Sequence, residues 1–369
     1  MWRRAYSQFA RVADLDGNLG LGFRSRWYSS EQSGKRFAAL WGNGDYGRLG
    51  LGSVDSQWRP VICSAFNGDS VRSIACGGAH TLFLTVDGEL YMWGKNSIGQ
   101  LGLGKSAPKV VAKPVKVAYL TGMAIEKAAL GSEHSIAVTD EGVALSWGAG
   151  SSGRLGHVCR SGLLGFLRSS SEYTPRLIKR LEGMKVRGVA AGLLHSACID
   201  ENGSVFIFGE RAMDKLRLGN SDYDTGLSRM AELPFSEEVA CGGYHTCVIT
   251  RSGELYTWGS NENGCLGIGC TDVIHSPERV EGPFLRQSVS KVSCGWKHTA
   301  AISDGHLFTW GWGGSHGTFS VDGHSSGGQL GHGTDVDYIQ PTMIEFGSNV
   351  KALEVSCGFN HTGAIFEYT

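Results

Sequence analysis

WGNGDYGRLGLG, residues Trp41–Gly52, follows the apolar run Phe37-Ala38-Ala39-Leu40 and contains Gly42, Gly44 and Gly47 in a literal G-x-G-x-x-G. After a strand, such spacing can mark a dinucleotide-binding turn, where glycines let backbone N–H groups approach a pyrophosphate at a helix N-terminus. The rest of the chain decides between a phosphate cradle and a plain turn. WGKNSIGQLGLG starts at Trp93, WGAGSSGRLGH at Trp147, FGERAMDKLRLG at Phe208, WGSNENGCLGIG at Trp258, and WGWGGSHG, continued by GGQLGHG, at Trp310. Of these copies only Gly148, Gly150 and Gly153 repeat the three-glycine spacing, while Lys95-Asn96 and Ser260-Asn261 replace the early glycines and leave the GQLGLG or GCLGIG intact. What recurs is a turn. It runs on to a proline and a short strand, as in Pro60-Val61-Ile62 and Pro114-Val115-Lys116-Val117, so no helix N-terminus faces the glycines.

A second motif keeps step with the first. CGGAHT ends at Thr81, LGSEHS at Ser135, AGLLHS at Ser196, CGGYHT at Thr246, CGWKHT at Thr299 and CGFNHT at Thr362. From His to the next Trp or Phe is thirteen residues for His80–Trp93, His134–Trp147, His195–Phe208 and His245–Trp258, and twelve for His298–Trp310. Alternating stretches such as TLFLTV and ELYMWG fill these intervals, joined by Asp87-Gly88, Asn202-Gly203 or Ser252-Gly253, which is hairpin chemistry. No stretch between them keeps a helical period, which excludes the α/β folds that host dinucleotides. Small antiparallel sheets repeated six times hide their faces by radial stacking, so the expected fold is an all-β propeller. The chain opens on a Trp-Gly strand without its His partner and closes on CGFNHTGAIFEYT without its Trp-Gly partner; the N- and C-terminal strands are therefore expected to share one blade.

The unit CGxxHT…GxLYxWGxNxxGQLGLG resembles the regulator of chromosome condensation repeat over about residues 36–369. The resemblance implies a propeller, usually of seven blades, whereas six copies of each motif occur here. It also implies three kinds of function. One is nucleotide exchange on the GTPase Ran with chromatin binding through a basic tail. Another is ultraviolet-B reception by clustered GWRHT tryptophans, a slot that only Trp296 fills, against Gly78, Ser132, Leu193, Gly243 and Phe359 at the same offset. The third is the mitochondrial branch, which supports organellar transcript splicing or ribosome assembly.

Glycine is 55 of 369 residues and proline only 8, against an ordinary glycine share of about 7%, so the excess reads as turn chemistry. No window approaches the roughly 18 apolar residues of a membrane-spanning helix, and none is expected. Ten cysteines lack C-x-x-C spacing, and neither a metal nor a cofactor is expected. Residues 1–28 carry Arg3, Arg4, Arg11, Arg24 and Arg26 against Asp14 and Asp16, place Trp2, Tyr6 and Phe9 on one side of a helix, and end near RSRWYSS. They read as a mitochondrial presequence addressed to the matrix, with 29–35 as linker and 36–369 as propeller. Without that segment the chain carries a net charge of −4, with no overall field drawing it to nucleic acid.

His80, His134, His195, His245, His298 and His361 are expected to be hydrogen-bonded structural residues, because equivalent positions one blade apart cannot share a ligand distance. Cys76, Cys241, Cys294 and Cys357, replaced by Leu130 and Ala191 in two repeats, read as small apolar residues. Trp41, Trp93, Trp147, Trp258 and Trp310 are the repeat's aromatic positions. GGSHG at 313–317 and GHSSG at 323–327 match a hydrolase elbow in letters but lack its strand-turn-helix setting. Partner recognition is expected where the repeat is broken. In HVCRSGLLGFLRSSSEYTP, Arg160 and Arg168 frame Phe166 among leucines, which suits a protein partner; in ERAMDKLRLG, Arg211, Lys215 and Arg217 form a basic patch for RNA phosphates or an acidic protein. The sequence thus points to a non-enzymatic mitochondrial platform for protein or ribonucleoprotein, with guanine nucleotide exchange on a small GTPase as the rival.

Overall fold

Each His-to-Trp interval folds as a hairpin: His80–Thr85 pairs with Leu90–Lys95, Thr81 opposite Trp93, around a turn in which Gly88 takes φ 77°. Strands before and after complete a sheet. The structure is a computed structural model that describes residues 34–64, 71–157, 171–209, 228–229, 233–314, 327–347 and 349–369. These form six four-stranded antiparallel sheets, the blades, with short 3-10 turns and no α-helix among the described residues. The expected presequence lies outside the described residues.

Blade 1 holds both ends of the propeller. Arg36–Gly42 runs between His361–Tyr368 and Gln57–Ile62 in the order expected from the orphaned motifs. It pairs with His361–Tyr368 in continuous register from Arg36 opposite Glu367 to Gly42 opposite His361. Phe37 stacks on Phe366 at 5.5 Å, Phe346 on Phe366 at 4.5 Å, and Arg36 pairs with Glu367, so aromatic packing and a long ladder close the ring. Blades 2 to 6 follow at 71–116, 125–177, 186–229, 236–279 and 289–343.

Six inner strands, Val71–Cys76, Ile125–Leu130, Val186–Ala191, Ser236–Cys241, Val289–Cys294 and Val350–Cys357, surround the axis. The turn after each hydrogen-bonds to the turn of the next blade: Gly78 to Gly131, Ser132 to Gly192, Leu193 to Gly242, Gly243 to Gly295, Trp296 to Gly358 and Phe359 back to Gly77, each N–H donating to a carbonyl at 2.9–3.3 Å. The circuit closes after six steps, so the ring has no gap for the seventh blade usual in the family. On the rim, Pro60, Pro114, Pro175, Pro277 and Pro341 each sit in an outermost strand, where a missing N–H costs no ladder bond and blunts an edge against pairing with another chain.

The repeat glycines find their reason between blades. The second glycine of GQLG lies against the repeat aromatic of the next blade: a Cβ on Gly102, at φ 67°, would stand 2.8 Å from Trp147 Nε1, and one on Gly331, at φ 78°, 2.9 Å from Trp41 Nε1. Gly50 meets Trp93, Gly156 meets Phe208 and Gly267 meets Trp310 in the same way. The residue before the Leu offers its carbonyl: Gln100 O accepts from Trp147 Nε1 and Ser135 Oγ, Cys265 O from Trp310 Nε1 and Thr299 Oγ1, and Gln329 O from Trp41 Nε1 and Thr362 Oγ1. The five tryptophans are fully buried, each worth on the order of 4–6 kcal/mol in apolar area. The WGNGDYGRLGLG type of loop is an interblade clasp.

Candidate functional site

Three tiers follow one another along the propeller, the middle one buried behind the glycines that wall the axis. The middle tier belongs to the histidines. His134 Nε2 lies 2.9 Å from Ser196 Oγ of the following blade, His245 Nε2 2.8 Å from Thr299 Oγ1, and His298 Nε2 3.0 Å from Thr362 Oγ1. His361 reaches Thr81 at 3.4 Å and His80 reaches Ser135 at 3.5 Å. Each hydroxyl already gives its proton to a clasp carbonyl, as Ser196 does to Arg154 O at 2.8 Å, so the imidazole must donate from Nε2. Nδ1 of His80, His134, His298 and His361 is then a buried, unprotonated nitrogen without a partner. Burial lowers the pKa of His80 and His298 to about 3 and that of His134 and His361 well below the ordinary value. These residues are neutral joints between blades. His195 is half-buried at the same place.

Burial also raises the thiols of Cys76, Cys241 and Cys294 above their usual range, and that of Cys357 to about 12, so none is a nucleophile at neutral pH. Cys247, in blade 5, meets Cys294 of blade 6, and with His245 their donor atoms lie within 4.8 Å of one another, the one such group among the described residues. Holding a soft metal there would require removing protons from two desolvated thiols and displacing or turning an imidazole bonded to Thr299.

The upper tier caps the circuit of turns. Blades 2 to 4 present Gly78-Ala79, Ser132-Glu133 and Leu193-Leu194; blades 5, 6 and 1 present Gly243-Tyr244, Trp296-Lys297 and Phe359-Asn360. Half-buried Trp296 stacks on Phe359 with centroids 5.5 Å apart and meets Trp312 edge-on at 5.8 Å. Lys297 Nζ sits 5.5 Å over the Trp296 ring and 3.0 Å from the exposed Glu262. One sector of this face therefore carries an aromatic patch rimmed by charge. Arg160, Phe166, Arg168, Arg211, Lys215 and Arg217 lie outside the described residues, as do Ser315 and Ser325 of the two elbow-like matches. Of the described residues from which these segments depart, Gly209 ends the third strand of blade 4 and pairs with His195, Gly314 follows the third strand of blade 6, and His157 lies past a 3-10 turn with its Nε2 3.0 Å from Ser146 Oγ.

The lower tier is a funnel of about 240 Å³ that narrows upward to a throat of about 10 Å³, walled by the glycines of the six turns and at the limit of one water. Its ring is one residue per inner strand, three before the Cys position: Ser73, Lys127, Gly188, Glu238, Lys291 and Glu354. Lys291 Nζ lies 3.0 Å from Glu354 and 3.7 Å from Glu238, and all three remain about a quarter exposed to the funnel. Desolvation raises the Glu238 pKa against the pull of Lys291 and Lys127; its two acids raise that of Lys291 despite burial. Arg72 and Glu126 pair at the mouth. This ring was missed in sequence, although a charge three residues before the Cys position of an apolar strand was a readable signal.

A closed ring of repeated blades, bound by clasps and capped by unlike turns, defines a repeat propeller. The regulator of chromosome condensation (RCC1) repeat matches at residues 40–84, 87–138, 141–199, 252–302 and 323–365, and the chain belongs to this family. Over 337 residues, 89% of this chain and 70% of the relative, it is 34% identical to the ultraviolet-B receptor UVR8 of Arabidopsis thaliana. It is 29% identical to human E3 ubiquitin-protein ligase HERC2 over 93% of this chain but only 7% of that protein. Among solved structures it is similar in fold to human WBSCR16, with TM-score 0.67, 20% identity and coverage of 90% and 99%. Yeast Prp20p, whose structure was described with its binding properties to Gsp1p and histones, gives TM-score 0.64, 21% identity and 93% coverage of each chain. Among the described residues, no helix is long and apolar enough to cross a membrane.

Proposed function

We propose that this propeller is a non-enzymatic binding platform, imported into the mitochondrial matrix, whose upper face engages a protein or ribonucleoprotein in organellar transcript splicing or ribosome assembly. The aromatic patch of Trp296, Phe359 and Trp312 carries the reading. Trp296 and Phe359 are half-buried beside the buried Trp312 and rimmed by Lys297 and Glu262, and among the described residues the turns of blades 2 to 4 carry no aromatic side chain, which is how a hot-spot cluster differs from scaffold. The arginine-rich residues 1–28 support the matrix address.

Affinity purification of the tagged chain from isolated mitochondria, with and without nuclease, tests this reading. A defined partner set that is lost in Trp296→Ala, and in charge reversal at Arg160, Arg168, Arg211 and Arg217, is expected; an unchanged set in both variants refutes it. A reporter fused to residues 1–35 should enter mitochondria, and a cytosolic reporter removes the matrix address. The kinship with Prp20p motivates a second reading, exchange on a small GTPase. It requires a stable complex with the nucleotide-free GTPase and faster nucleotide release, neither of which the platform produces.

A further inference from the structure

The charged ring of the funnel adds the bridges of Lys291 to blades 5 and 1 to a closure that the turns above it and the clasps around it already supply. Removing charges from bulk water is costly unless they are well paired, and here one ammonium serves two carboxylates. Across the ring Lys127 has no acid within ion-pair distance among the described residues, although its charge still acts on Glu238. Between Lys127 and Glu238 the ring position is Gly188, and this glycine is required neither by its backbone nor by crowding. Its φ is not positive, and the nearest atom to an added Cβ would be Ile199 Cβ at 3.8 Å, an ordinary contact. Gly188 is itself buried, so the missing side chain leaves a shallow notch in the funnel wall, flanked by one cation and one anion. The throat above admits at most a single water, which makes the funnel a pocket with one entrance.

We propose that this notch binds a small dipolar ion of the amino-acid type, its carboxylate toward Lys127 and its ammonium toward Glu238. A simple anion would face two carboxylates that outnumber Lys291, and a simple cation would lie between Lys127 and Lys291; a molecule carrying both charges meets each with its opposite. Lys291 holds Glu354 and steadies Glu238 so that the acid keeps its place when the pocket is empty. The site stands on the opposite side of the throat from the upper face and does not rest on the platform reading.

Calorimetric titration of the full chain with glycine, β-alanine and 4-aminobutyrate, whose charges are progressively further apart, tests the proposal against acetate and methylammonium as single-charge halves. At least one dipolar probe should bind one to one with a Kd below about 1 mM, and both halves about tenfold or more weakly. Gly188→Leu should abolish binding while leaving the denaturation midpoint unchanged or raised, because the new side chain fills the notch. Lys127→Gln, which breaks no ion pair seen here, should weaken binding about tenfold. The proposal is overturned if no dipolar probe saturates the wild-type chain by about 10 mM, or if Gly188→Leu or Lys127→Gln binds as the wild type does.

Discussion

Gly102→Ala, measured beside Gly183→Ala, separates the clasp from ordinary turn strain. Both glycines have positive φ, 67° and 85°, so in either an alanine adopts left-handed backbone at a cost of about 1–2 kcal/mol. Their surroundings differ. Nothing lies within 4 Å of a Cβ on Gly183, whereas one on Gly102 would press on Trp147 Nε1 at 2.8 Å and Cδ1 at 3.1 Å. To relieve this overlap the indole must back away from Gln100 O, its acceptor at 3.0 Å, leaving a buried N–H unsatisfied at about 1–3 kcal/mol. Repacking a ring of that size in a filled junction adds about 1–2 kcal/mol more. Gly102→Ala should therefore lose about 2–5 kcal/mol more than Gly183→Ala. Equilibrium urea unfolding gives both values by linear extrapolation, and tryptophan emission reports whether the indole has moved. If the two variants agree within about 0.5 kcal/mol, the glycine is only a turn residue and the clasp is wrong.

Acid should weaken the ring through its histidines. The unfolded chain takes a proton on each near pH 6.5 while the native imidazole refuses it until about pH 3 at His80 and His298, so stability falls as pH drops below 6.5, by about 2 kcal/mol for each of these two between pH 7 and 5. His298→Gln keeps a donor for Thr362 and should remove one such share, seen as a smaller shift in urea midpoint between the two pH values; an unchanged shift contradicts the neutral-joint assignment. Alkylation of the native chain at pH 8, read by mass spectrometry, should modify half-exposed Cys270 and spare Cys76, Cys241, Cys294 and Cys357, all of which should react once urea is added. Gly34 N lies 2.7 Å from Tyr368 O, so a permutant joining residue 369 to 34 by a short linker and opened between Asp87 and Gly88 should fold within about 1–2 kcal/mol of the parent by the same unfolding assay. Deleting residues 34–64 instead removes the central ladder of blade 1 and should abolish cooperative unfolding.

The blade count, the hairpins and the shared blade were legible because each rests on short-range chemistry repeated six times, and because an orphaned strand at each end has one place to go. The clasp was not. Gly102 and Trp147 belong to different blades, and turn chemistry alone explains a glycine in GQLG without asking what lies on its far side. The charged ring stayed hidden for another reason. Alternation in VSKVSC sets Lys291 on the opposite face of the strand from Val292 and Cys294, but only closure shows that the inner edge of that face meets Glu354 of the next blade at the axis. Trp296 stood out in sequence by its slot. Its partners did not, since Trp312 arrives from the end of the third strand of the same blade and Phe359 from the turn of the next.

Sixfold repetition also limits where function can reside. Clasps and histidine joints recur at junction after junction, and such features explain stability without explaining a ligand. Among the described residues, what breaks the repetition lies at the two ends of the axis, the aromatic sector above and the Lys127–Gly188–Glu238 notch below, with the narrow throat between them. A partner on one end and a small molecule at the other cannot collide, so any influence between them must travel through the protein. The shortest covalent route is five residues long: Lys291, which steadies Glu238, stands in the inner strand that ends in the turn bearing Trp296. If that strand shifts on loading the notch, the upper patch shifts with it, and by linkage a partner on Trp296 must change the affinity of the notch by the same factor. A rigid strand gives a factor of one. Titrating the notch with and without the captured partner therefore measures whether the two ends act as one device or as two.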